Sequence, residues 1–154
     1  MRYAVILAIL LKMAPLLADS SGAYPPNPYE FAGGMRAPTF SEANAAAIHF
    51  LSIVDNQVYA GAWLEAGGLM HDVVPQQVWT AGMRVVRQGL GNVRARKVAS
   101  HRPVHVLPGG TQGEFMIITY QTQFGQKPNS IETVILMMHP PLGLWKVISY
   151  YISG

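Results

Sequence analysis

The sequence predicts an α+β domain: three N-terminal helices packed on one face of a four-stranded antiparallel sheet. Three observations predict it. Apolar residues recur at helical spacing up to Leu90 and alternate with polar ones from Asn92 onward. Runs rich in Gly, Pro and Asn then divide the second half into four strand-length segments suited to hairpins. Helices first and hairpin-linked strands afterwards put a helical layer on an antiparallel sheet.

Ahead of that domain stand two segments of a different kind. Arg2 precedes eight apolar residues, 4–11, followed by Lys12 and a second apolar group, 13–18. A spanning helix needs about 20 unbroken apolar residues, and Lys12 and Pro15 interrupt this one. Residues 1–23 therefore read as an export signal, with Ser21, Gly22 and Ala23 supplying the small residues for cleavage. An uncleaved anchor is the alternative, and the leader is then the one route to membrane contact. Residues 24–38 hold Pro25, Pro26, Pro28 and Pro38 with a Gly33-Gly34 pair, the composition of an extended linker. The expected location is the periplasm or the medium.

Residues 39–154 form the folded unit. Thr39 and Glu42 match a T-x-x-E capping box, followed by Ala47, Ile48, Leu51 and Val54 at helical spacing. A second, short helix is expected over residues 58–66, carrying Tyr59 and Trp63 one turn apart and stopped by Gly67-Gly68. Pro75 suits the start of a third over residues 76–90, with Val78, Trp79, Gly82, Met83, Val86 and Leu90 inward. Thr80, Arg84 and Arg87 are expected to face away from that stripe. Strands follow at residues 93–106, 114–124, 131–139 and 144–152.

The shortest hairpin registers sort the strand residues into two faces. Met116, Ile118, Tyr120, Val134, Leu136, Met138, Trp145, Val147 and Tyr151 form a nearly apolar set that should meet the helices. The opposite face mixes polar groups with Ile117, Ile135, Met137, Ile148 and Tyr150. An exposed apolar patch of that kind marks an interaction surface, so these five residues predict a homodimer through the outer sheet face.

Composition removes several classes of function. The chain has 154 residues, 50% of them hydrophobic and 12% charged. That is one domain, able to bury about two-thirds of its unfolded surface. The absence of Cys excludes disulfides, thiolate metal sites and Cys nucleophiles. The five His residues lack H-E-x-x-H spacing and no Ser has a G-x-S-x-G context, so neither a metal nor a cofactor is expected.

Charge is concentrated in one place. Arg84, Arg87, Arg94, Arg96, Lys97 and Arg102 are six of the eleven basic residues, and residues 73–113 contain no acid. Arg84, Arg87 and Arg94 are the candidates for an anion-binding surface. No aromatic residue lies between Arg84 and Arg102 for base stacking, which argues against nucleic acid. The same register arithmetic puts Lys97, Thr122, Glu132 and Tyr151 in one row on the core face. A carboxylate there needs a partner, Lys97 or Arg96. The sharper alternative makes Tyr120, Glu132, Trp63 and Trp145 the lining of a small-ligand pocket between helices and sheet.

One ordered series of residues resembles a known family. It runs Asp55, Tyr59, Trp63; Gln77, Trp79; Arg87, Gly91; Arg96, Lys97; Pro108, Gly109. It continues through Gly113, Glu114, Phe115; Tyr120, Thr122, Phe124; Lys127; Glu132, Thr133, Val134; and Trp145, Val147, Tyr150. This pattern is similar to that of small exported bacterial domains catalogued as domain of unknown function 4019. Phe115 stands where Tyr is expected, and Ser149 where Gly is expected. The resemblance implies an architecture similar to nuclear transport factor 2-like and cystatin-like domains, and an export signal in front. It implies no activity. The leading expectation is a non-catalytic envelope module binding a small apolar molecule or a protein. The alternative is a small enzyme using Asp55, His71 or Glu132 as acid or base.

Overall fold

The computed structural model describes residues 39–140 and 142–154; the expected leader and linker, 1–38, lie outside them. Among the described residues four helices precede four strands: α1 Phe40–Asp55, α2 Tyr59–Glu65, α3 Gly68–Val73, α4 Gln76–Leu90, β1 Val93–Val106, β2 Gln112–Phe124, β3 Ser130–His139 and β4 Leu144–Ser153. The strands form one antiparallel sheet in the order β1-β2-β3-β4. No helix among the described residues is long and apolar enough to cross a membrane.

Helix α1 begins where the sequence says it should. Glu42 N donates to Thr39 Oγ1 at 3.3 Å and Thr39 N donates back to Glu42 Oε2 at 3.1 Å. This reciprocal cap satisfies two of the backbone donors that the first helical turn leaves free. Ala43, Ala47, Phe50, Leu51 and Val54 are buried along one side of α1, which lies against β2, β3 and β4. Helix α4 packs on α2, and its Trp79 reaches Phe50 and Tyr150 with ring centroids 6.1 and 6.2 Å apart. The main core thus sits between α1, α4 and the Met116, Ile118, Tyr120 side of the sheet.

Three expectations need correction. Among the described residues the helices number four, because residues 68–73, expected as loop, form α3. At six residues that segment is shorter than two turns, too short to display a period. On α4, Val78 is 43% exposed and Arg87 only 7%, the reverse of the assignment, since Arg87 follows Trp79 and Met83 at helical spacing. On β4, Tyr150 faces the helices and Tyr151 does not. Ile135 pairs with Ser149 but Leu136 pairs with Val147, so Ile148 is an extra residue that reverses the alternation beyond it.

The outer sheet face is also not the wetted patch that the alternation suggested. Ile117, Ile135 and Ile148 do lie on it, yet each is under a tenth exposed. They join Val104, Phe115 and Leu107 in a second apolar cluster, with Met137 and Leu69 of α3 packed against it. With Tyr150 on the opposite side, the five-residue dimer face loses its physical premise.

Gly67 explains how α3 reaches that position. Its N–H donates to Val147 O at 2.8 Å, fastening the α2–α3 junction to the margin of β4. A Cβ there would lie 3.0 Å from Ile148 Cγ2 and 3.2 Å from Lys146 Cβ. Its φ of −80° is open to any residue, so the requirement is steric. Gly67→Ala is expected to lower stability by about 1–2 kcal/mol, read as a reduced urea midpoint.

Candidate functional site

Two carboxylates and two guanidinium groups meet behind the sheet's helix-facing side. Glu132 enters from β3, Arg96 from β1, Arg87 from α4 and Asp55 from the end of α1. Glu132 is fully buried. Its Oε2 accepts from Arg96 Nε at 2.6 Å and Thr122 Oγ1 at 2.5 Å, and its Oε1 from Arg96 Nη2 at 3.1 Å and Tyr150 OH at 2.5 Å. Arg96 turns its other edge to Asp55, with Nη1 to Oδ2 at 2.8 Å and Nη2 to Oδ1 at 3.0 Å. Arg87 Nη2 adds a third bond to Asp55 Oδ1 at 2.9 Å. The Arg87 guanidinium lies 4.9 Å from the centroid of the Phe124 ring, a cation–π contact.

The cluster is neutral as a group, two positive charges against two negative. One planar guanidinium serving both carboxylates is a task for Arg and not for the single ammonium of Lys. This settles the internal pair: Arg96 is the partner and Lys97 is not. Arg96 is opposite Thr122 on the helix-facing side, whereas Lys97 is opposite Gln121 on the other. Glu132 itself is paired with Tyr120 and Ile152, not with Thr122 and Tyr151. Burial alone would depress the pKa of Arg96, but its hydrogen bonds to Asp55 and Glu132 hold it above the ordinary arginine value.

Two tyrosines record the same burial. Tyr150 is pushed well above its ordinary value by burial and then by Glu132. Tyr120, whose hydroxyl donates to Asn44 Oδ1 at 2.7 Å, is raised mainly by burial. The native state therefore keeps protons that the unfolded chain releases near pH 10.0. Stability from these groups is complete below that pH and falls as pH rises toward the native values. The expected slope is about 1.4 kcal/mol per pH unit for each tyrosine. Urea midpoints measured from pH 9 upward check it, and Tyr150→Phe should make the decline shallower.

The four residues expected to line a pocket do not converge. Tyr120 and Glu132 are cross-strand neighbours, but Trp145 is opposite Met138 at the other end of β3. Trp63 donates from Nε1 to Val74 O at 2.8 Å and stacks on His71 at 3.9 Å. The acid–base candidates divide likewise, Asp55 and Glu132 in the cluster and His71 against Trp63, where its Nε2 is 2.6 Å from Trp63 O. No group of His, Asp and Glu among the described residues could hold a metal ion.

Beside the cluster, and sharing Asp55 and Arg87 with it, opens a cleft of about 450 Å³. Its walls come from the turn after α1 (Gln57), the start of α2 (Tyr59), α4 (Arg84, Gln88) and the segment leading into β1 (Asn92). Arg84 and Arg87, three residues apart on α4, both border this cleft, but Arg87 is buried and paired with Asp55. Arg94 is exposed and runs beside Gly125, apart from this lining. Gln57, Gln88 and Asn92 carried no signal of their own in the sequence, and Tyr59 carried one only as a helix-face and family-series residue, because three separate segments gather them. Arg87, expected to face away from the stripe, is instead buried on it after Trp79 and Met83, and its acid, Asp55, comes from another helix.

A family model described as "Protein of unknown function (DUF4019)" matches residues 46–150. No curated protein and no solved structure matches the chain.

Proposed function

Because the chain belongs to the family of unknown function DUF4019, its role has to be argued from the site, and we propose an exported, non-catalytic binding module of the cell envelope. The architecture we infer is similar to that of nuclear transport factor 2-like and cystatin-like domains. One observation carries the non-catalytic reading: the candidate acids and bases are already occupied. Both oxygens of Glu132 and both of Asp55 accept hydrogen bonds from within the fold. A general base must reach a substrate proton, and a fully buried carboxylate with four donors around it does not. The ion-pair cluster then acts as a structural clasp between helices and sheet.

Export rests on the charged, apolar and small-residue pattern of residues 1–23. Expression of the full chain in a Gram-negative host, followed by fractionation and intact-mass measurement, tests it. The expected product is periplasmic and lighter by residues 1–23; a full-length cytoplasmic product overturns the export reading. Restoration of a deletion strain by His71→Ala as fully as by the unaltered chain is expected of a binding module. Failure of that folded variant would point to an enzyme.

A further inference from the structure

We propose that the cleft between the α1–α2 turn and α4 binds a small hydroxylated anion, its acid group on Arg84 and its hydroxyls on the surrounding carboxamides. The inference rests on the binding-module reading and names the site and ligand class for it. The volume, about 450 Å³, lies within the range of small-molecule sites and suits one or two sugar-sized rings. Charge decides the sign. Asp55, the one acid in the lining, has both oxygens held by Arg87 and Arg96, and Glu132 completes the neutral quartet behind it. Arg84 is exposed in the cleft and forms no ion pair among the described residues, which leaves one uncompensated positive charge.

The rest of the lining suits hydroxyl groups better than apolar ones. Gln57, Gln88 and Asn92 are in the lining, and each carries a carboxamide, a group that can both donate to and accept from a hydroxyl. Tyr59 is buried through its ring, while its hydroxyl makes no hydrogen bond among the described residues. That hydroxyl is within electrostatic reach of Arg87, Arg84 and Asp55, all of which border the cleft. Burial raises its pKa, so it stays a donor.

The turn that carries Gln57 is set by the end of α1. Val58 N donates to Ile53 O at 3.1 Å and Gln57 N to Val54 O at 2.9 Å, a Schellman cap that calls for the left-handed φ of 63° at Gln57. Glycine adopts that conformation more freely than a residue with a side chain, and here a glutamine occupies it beside the cleft.

The test uses the purified exported protein, labelled with ¹⁵N, titrated with glucuronate, glucose 6-phosphate and glucose at millimolar concentrations. The expected result is saturable shifts of the Gln57, Arg84, Gln88 and Asn92 amides with an acid sugar and none with glucose. The two acid arms tell a carboxylate from a phosphate. Arg84→Gln should weaken binding by about tenfold or more, the loss of a charge-assisted contact. Gln57→Gly should weaken it while raising the urea midpoint, a combination that a purely structural residue does not produce. Absence of saturable shifts with both acids, or equal binding by Arg84→Gln, overturns the site and leaves the module reading standing. Chemical conversion of a bound probe would instead support the site and remove the non-catalytic reading.

Discussion

Glu132→Ala is expected to destabilise the domain by about 3–5 kcal/mol, because it strands two buried cations. Arg96 and Arg87 have side chains only 12% and 6% exposed. With Glu132 removed, Asp55 alone faces both guanidinium groups, and the hydroxyls of Thr122 and Tyr150 lose their acceptor. For a domain whose total stability is about 5–15 kcal/mol, such a loss approaches the threshold of folding. Glu132→Gln keeps the shape and one acceptor oxygen, so it should lose less. The clearest arm is the double replacement Arg96→Met with Glu132→Leu. Apolar packing removes both buried charges, so the pair should be more stable than the sum of its single changes predicts. Urea unfolding measures all three; a loss below about 1 kcal/mol for Glu132→Ala would show that water relieves the stranded charges.

The second large effect belongs to Trp79. It is 1% exposed, donates from Nε1 to Tyr59 O at 2.9 Å and lies between Phe50 and Tyr150. Trp79→Ala is expected to cost about 3–5 kcal/mol through lost burial and the cavity left behind. Trp79→Phe fills most of that space but leaves Tyr59 O without its donor, so the difference between the two separates volume from hydrogen bonding. Because Tyr59 also walls the cleft, Trp79→Phe should disturb the amide signals of Gln57 and Asn92. Trp145→Ala provides the contrast. Its indole nitrogen makes no hydrogen bond and its ring lies at the sheet end, so a smaller loss in the urea midpoint is expected.

The strands were legible to within two residues at each end because turn-forming residues punctuate them. Helices α1, α2 and α4 were legible for the same reason, through the Thr39 cap, the Gly67-Gly68 stop and Pro75. Parity was not. Hairpin arithmetic assumes unbroken ladders, and the extra residue at Ile148 exchanged Tyr150 for Tyr151. An irregular β1–β2 ladder likewise exchanged Arg96 for Lys97. The need for a cation beside Glu132 could be read from a carboxylate on an apolar face. Its second half could not: Asp55 and Arg87 are 32 residues apart, and only the packing of α4 on α2 joins them. The cleft was hidden further, since its walls come from the end of α1, the start of α2, α4 and the segment before β1.

The irregular ladder of β1 has one more consequence. This strand forms one margin of the sheet, and its pairing with β2 shifts between Val93 and Ala95, between Val98 and Ser100 and between Val104 and Val106. The longest regular run, from Ser100 to Val104, contains Arg102 and Pro103. A second chain laying itself alongside would meet a repelling charge, a missing donor and a broken spacing in quick succession. On this margin, then, the sheet is guarded against being lengthened by another chain's backbone.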